Sequence, residues 1–167
     1  MASRQAIEGA FRAADDRLNR LAALMETYAN DALLDDGGKW SVRDCLSHIS
    51  ASARVSAAGQ RALQRLSGQT QPATGGLSVD ERNAQQVAER KSKSVAELIE
   101  ETKQTHALAL EDLRSMDDAT LDTKVPDMQP GRPAQSVGGI ILRMLEYHEA
   151  GQMDRIESAL RIRTRWA

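Results

Sequence analysis

Lys39-Trp40-Ser41-Val42-Arg43-Asp44-Cys45-Leu46-Ser47-His48 joins an aromatic anchor, a helix start and an imidazole in one short stretch. Ser41 is placed to accept from the free N–H groups of the helix that follows. Asp44, three residues on, answers both the cap and the positive end of the helix dipole. Asp44, Cys45, His48 and Ser52 then fall on neighbouring turns of one face, so the imidazole is aimed along the core side. A histidine pointing inward needs a polar partner.

Outward from this stretch the helical period continues in both directions. Ile7, Phe11, Ala14, Leu18, Leu21, Met25 and Tyr28 step by four and three, which predicts a first helix from about Ser3 to Ala29 with a bundle-type seam. Asp35-Asp36-Gly37-Gly38 breaks the pattern. The second helix is predicted from Ser41 to Leu66, and its small residues between Ala51 and Ala58 either admit a neighbouring helix closely or leave a cleft. Ser67 to Leu77, with Pro72 and Gly75-Gly76, reads as a loop of at most ~37 Å reach, enough for a crossover. The capping boxes Ser78–Glu81 and Ser94–Glu97 predict a third rod in two pieces, near Val79 to Lys91 and Val95 to Met116, with His106 at the margin of the inner stripe. Asp117 to Gln135, with Pro126, Pro130, Gly131 and Pro133, is expected to hold no regular element and to form a lid or cleft wall. Ser136 caps a fourth helix running to about Arg163, with Ile140, Ile141, Met144, Leu145, His148, Gln152, Ile156 and Leu160 inward. The expected fold is an all-α four-helix bundle, one domain over residues 1–167.

Hydrophobic residues at 41%, charged residues at 28% and aromatics at only 3% suit a globular, helix-rich chain. The formal charge of −2 and the lack of a long basic run argue against nucleic acid as a partner. No apolar run approaches the roughly 18 residues of a membrane span, and Glu8, Asp15 and Asp16 make the start an amphipathic helix, not a signal peptide. A soluble, cytoplasmic protein without a membrane partner is expected. Cys45 is the single cysteine, which forbids an intrachain disulfide and agrees with a reducing compartment.

His148 repeats the logic of His48, with Met144 and Leu145 a turn before it and Gln152 a turn after. Two inward imidazoles on different rods are the start of a metal site, and a catalytic zinc ordinarily takes three protein ligands. The position four residues before His148 carries Met144, a poor zinc ligand, while Glu146 and Glu149 fall on the wrong side of an α-helical wheel. Cys45, one turn before His48, and Gln152 are the available substitutes, with His106 behind them. For either histidine alone, a core imidazole bonded to a neighbour is the plainer reading. Trp40 reads as an apolar plug, Asn83 as an ordinary polar-face residue, and Cys45 as a small core residue with His48 near enough to activate it. No nucleophile-elbow, phosphate-loop, dinucleotide or CxxC pattern is present.

Trp40 followed eight residues later by His48, Asn83 opening a polar helix, and His148-Glu149-Ala150-Gly151-Gln152 together resemble the DinB-like helical-bundle superfamily, over nearly the whole chain. The resemblance implies an up-down-down-up four-helix bundle, a homodimer, and a divalent metal, zinc or nickel, held in a cleft. His48 and His148 would be two of three metal ligands and the catalytic pair. The third family position, a His, or a Glu in the branch of the mycothiol-dependent maleylpyruvate isomerases, falls here on Met144, with Gln152 the substitute. Enzymatic members use the metal to activate a thiol cofactor, so the implied function is a metal- and thiol-dependent S-transferase or isomerase acting on a small electrophilic substrate. The alternative, which Met144 favours, is a non-enzymatic relative: a small-molecule-binding or stress-related dimer that has lost the metal.

Overall fold

A computed structural model describes residues 3–27, 40–68, 77–126 and 133–164. Tyr28, the Asp35–Gly38 break, most of the Ser67–Leu77 crossover and the Pro130–Arg132 part of the third loop lie outside the described residues. The chain is all-helical in its main elements: α1 (Arg4–Thr27), α2 (Val42–Ser52), α3 (Ser56–Leu66), α4 (Val79–Glu89), α5 (Val95–Ser115), α6 (Asp118–Asp122), α7 (Val137–Arg143) and α8 (Ala150–Thr164). A π-helical segment, Met144–Glu149, joins α7 to α8 in one rod.

Local chemistry fixes the helix starts where the sequence places them. The Ser41 hydroxyl accepts from the Asp44 N–H at 3.1 Å, and the Asp44 carboxylate accepts from the Ser41 N–H at 2.9 Å. The reciprocal caps recur at Ser78 with Glu81 and at Ser94 with Glu97, and the Ser136 hydroxyl accepts from the Gly139 N–H at 3.1 Å.

Two expectations fail. The helix predicted from Ser41 to Leu66 is interrupted at Ala53–Val55. There the Ser52 hydroxyl turns back to donate to the His48 carbonyl at 2.9 Å. The Ser56 hydroxyl donates to Asp112 of α5 at 2.8 Å and Arg54 Nε donates to the same carboxylate at 3.2 Å, so the break lets both residues reach one acceptor. The Asp117–Gln135 segment is likewise not devoid of regular structure. Asp117 caps α6, and strands β1 (Lys124–Val125) and β2 (Gln135–Ser136) pair antiparallel with Val125 opposite Gln135. Pro126 sits just beyond β1, where a missing N–H costs no ladder bond.

The core falls into two apolar clusters stacked along the bundle. One gathers Leu18, Leu21, Val42, Cys45, Ile49, Leu98, Met153 and Ile156; the other gathers Ile7, Phe11, Val55, Leu113, Val137, Ile141 and Leu145. Between them along α1, α5 and the fourth rod lie Asp15, Thr102 with His106, and Glu149. A polar layer therefore crosses the core at the level of the π segment. At Gly59, where α3 meets α7, an added Cβ would lie 2.8 Å from Val137 Cγ1. Gly59, one residue beyond the small-residue stretch, is thus a point of close helix packing.

Helix α4 has no buried residue. It is tied down just past its end, where Arg90 donates from Nε and Nη2 to Glu101 at 3.2 and 3.0 Å. Lys93 Nζ joins the same carboxylate at 3.0 Å and the Ser50 hydroxyl donates to it at 2.6 Å. Burial works against the Glu101 charge, but the bonds from Ser50, Lys93 and Arg90 hold its pKa below the usual carboxylate value. Asn83 is half-buried on this polar helix.

Candidate functional site

The two imidazoles singled out in the sequence do meet. The His48 and His148 rings lie 5.1 Å apart between centroids, edge to face at 82°. Trp40 packs its ring 5.0 Å from that of His48, tilted at 56°, so it closes one side of the cluster as well as plugging the bundle end. His48 is 4% exposed, and its Nδ1 is buried without a hydrogen-bond partner among the described residues. Burial, then the neighbouring His148 and the Arg155 guanidinium, push the His48 pKa down to about 4. Burial also lowers His148, with the adjacent Glu149 charge acting in the opposite sense. Both shifts favour the neutral imidazole.

Gln152 links Cys45, one turn before His48, to Arg155. Its side-chain oxygen accepts from the Cys45 thiol at 3.0 Å and from Arg155 Nη1 at 2.7 Å. The thiol is fully buried and donates into an amide, an environment that suits a structural cysteine better than a nucleophile.

The donor set can be tested against the divalent ion that the fold family implies. Neutral imidazoles are the ligating form, and the orphaned Nδ1 of His48 is a donor atom waiting for an acceptor of its lone pair or for a hydrogen bond. The third position fails the test. Met144 packs with the second apolar cluster, and Gln152 spends its oxygen on Cys45 and Arg155, which would set a guanidinium beside any cation bound there. No group of three His, Cys, Asp or Glu side chains converges among the described residues. The residues present do not fit a three-ligand ion.

Sequence reasoning misplaced two residues. His106, read as marginal, is 0% exposed and packs edge-on to Phe11 at 5.3 Å. Glu149, read as facing away, is 1% exposed. The His106 ring bridges two carboxylates: Nδ1 donates to Asp15 at 2.6 Å and Nε2 donates to Glu149 Oε2 at 3.2 Å. Burial alone would lower the pKa of His106, but the bonds and charges of Asp15 and Glu149 outweigh it and raise the value to about 9. The signal was in the sequence. Val137, Ile141, Leu145, Glu149 and Met153 are spaced by a constant four, and all are buried. In a regular α-helix each such step drifts roughly 40° around the axis. A π turn, bonded i to i+5, absorbs the drift and keeps the row facing the core.

Comparison with known proteins bears on this arrangement. No curated protein matches the chain. A solved structure of the same fold, the colibactin self-resistance protein ClbS in complex with double-stranded DNA, has 15% sequence identity and a TM-score of 0.66, covering 99% of this chain and 97% of that chain. This overturns the exclusion of nucleic acid: the same fold has been captured on duplex DNA in ClbS. Net charge sums the whole chain, whereas a phosphate backbone reads the local distribution of charge. No helix among the described residues is long and apolar enough to cross a membrane. Residues 7–151 match the family model of the DinB superfamily, and the chain belongs to that superfamily.

Proposed function

We propose that this chain binds a small organic molecule at the His48–His148 cluster, the two rings acting as hydrogen-bonding and proton-accepting groups and Gln152 as an orienting amide. The observation that carries the reading is the buried, unpartnered Nδ1 of His48. Leaving such an atom unpaired costs roughly 1–3 kcal/mol, which a ligand offering one hydrogen bond recovers. Trp40 and His148 supply flat faces around it.

A second reading, thiol-dependent transfer or isomerisation of a small electrophile, is favoured by the neutrality of both rings. An uncharged imidazole beside a bound thiol takes the S–H proton, the thiolate adds to the β-carbon of a conjugated electrophile as the C=C π pair moves to the α-carbon, and the imidazolium returns the proton there. A divalent ion, where bound, would supply the same thiolate stabilisation, but the donors here do not fit one.

The test titrates tag-free protein with reduced glutathione, N-acetylcysteine and fumarate, followed through histidine ring resonances. The reading expects shifts at His48 and His148 with at least one probe, lost in His48→Phe. Near-stoichiometric zinc or nickel that disappears in His48→Ala would replace it with the metal-dependent reading. A duplex-DNA titration alongside decides whether the chain shares the ligand of ClbS.

A further inference from the structure

We infer that Glu149, clamped by His106 and Asp15, is a positioning residue that sets the register of the fourth rod and thereby turns His148 toward His48. The inference deepens the reading of the His48–His148 cluster as a ligand site and rests on it. Three observations converge. Glu149 and His148 are neighbours inside the Met144–Glu149 π segment, so whatever fixes one fixes the direction of the other. The carboxylate of Glu149 is 1% exposed and anchored 3.2 Å from His106 Nε2, while the far side of the same ring is held at 2.6 Å by Asp15. That chain ties α1, α5 and the fourth rod together at one level, between the two apolar clusters.

Among the described residues, Asp15 and Glu149 are the charged groups that act on His106. A buried carboxylate cannot leave its ring N–H donor without being stranded, whereas an apolar residue in the same row slides at small cost. In a regular α-helix successive residues stand about 100° apart. The wider π turn brings them closer in angle, which allows Glu149 to face His106 while its neighbour faces His48. The clamp and the functional pair are thus two outputs of one irregular turn.

The experiment uses the full chain with isotope-labelled histidine and reads the through-space cross-peak between the His48 and His148 ring protons. Far-UV circular dichroism is recorded in parallel. Wild type is expected to show the cross-peak, and Glu149→Gln to retain it, because the amide oxygen still accepts from His106. Glu149→Leu is expected to lose it while keeping helical content, since leucine continues the apolar row without the anchor. Should Glu149→Leu fail to fold, Asp15→Ala removes the acceptor at the half-exposed end of the same clamp and is expected to weaken the cross-peak. A full-intensity cross-peak in Glu149→Leu, or in both Asp15→Ala and His106→Gln when the leucine variant is unfolded, overturns the inference. The readout is taken without any ligand, so failure of the small-molecule titration and failure of this inference are separate results.

Discussion

His106 Nε2 lies 3.2 Å from one oxygen of Glu149 and 3.1 Å from the other, with neither side chain more than 1% exposed. Only Oε2 meets the angular needs of a hydrogen bond, and Oε1 is left without one. Removing one partner from such a buried pair strands the other, at a cost of about 3–5 kcal/mol. His106→Ala is therefore expected to lose stability on that scale, measured by urea unfolding at pH 7, and Glu149→Gln to lose much less.

The two buried histidines predict opposite pH slopes. Against the opposing effect of burial, the carboxylates of Asp15 and Glu149 raise the His106 pKa to about 9 in the fold against an ordinary 6.5, so its contribution is complete below pH 6.5 and is lost as pH rises through 9. His48 titrates at about 4 folded against 6.5, so its neutral form favours the fold above pH 6.5, and that contribution is lost as pH falls through 4. Stability measured by denaturant across pH should peak near neutrality. His106→Gln should flatten the alkaline limb and His48→Phe the acid limb. An unchanged alkaline limb in His106→Gln would mean the ring is not charged in the fold.

Met144 stands four residues before His148, so Met144→His offers the third imidazole that the donor set lacks. Calorimetric titration with zinc should show affinity rising on the order of tenfold or more over wild type, since three ligands complete the usual catalytic set. Equal affinities would show that residue 144 points away from the cluster.

Gly59→Ala should destabilise, because its Cβ would fall 2.8 Å from Val137 Cγ1 and 3.2 Å from Ile141 Cδ1, both in a buried cluster. Overpacking of this kind costs about 1–3 kcal/mol, partly offset by the helix-forming gain of roughly 1 kcal/mol. Thermal unfolding should show a lower midpoint, restored in part by pairing the change with Val137→Ala.

The local features were readable from residues alone. Ser41, Ser78 and Ser94 cap their helices because the answering acid stands three residues away in sequence, and His48 follows the helical period of its own rod onto the core side. Features set across the bundle were not. The interruption before Ser56 depends on Asp112, more than fifty residues later, and no local rule announces it. Glu149 was lost by applying a period of 3.6 to a row spaced by four, and His106 followed it, since an imidazole between two acids looks marginal until both acids are seen to turn inward.

Helix α4 has no fully buried side chain and is moored by the ion cluster at Glu101. Ionic strength, which leaves the stacked apolar clusters intact, should weaken that mooring, so concentrated salt acts on this segment as a solvent acts on glue. Amide exchange along residues 79–89 would then quicken long before the rest of the molecule loosens. The chain thus wears a detachable splint over α2, the helix that presents His48.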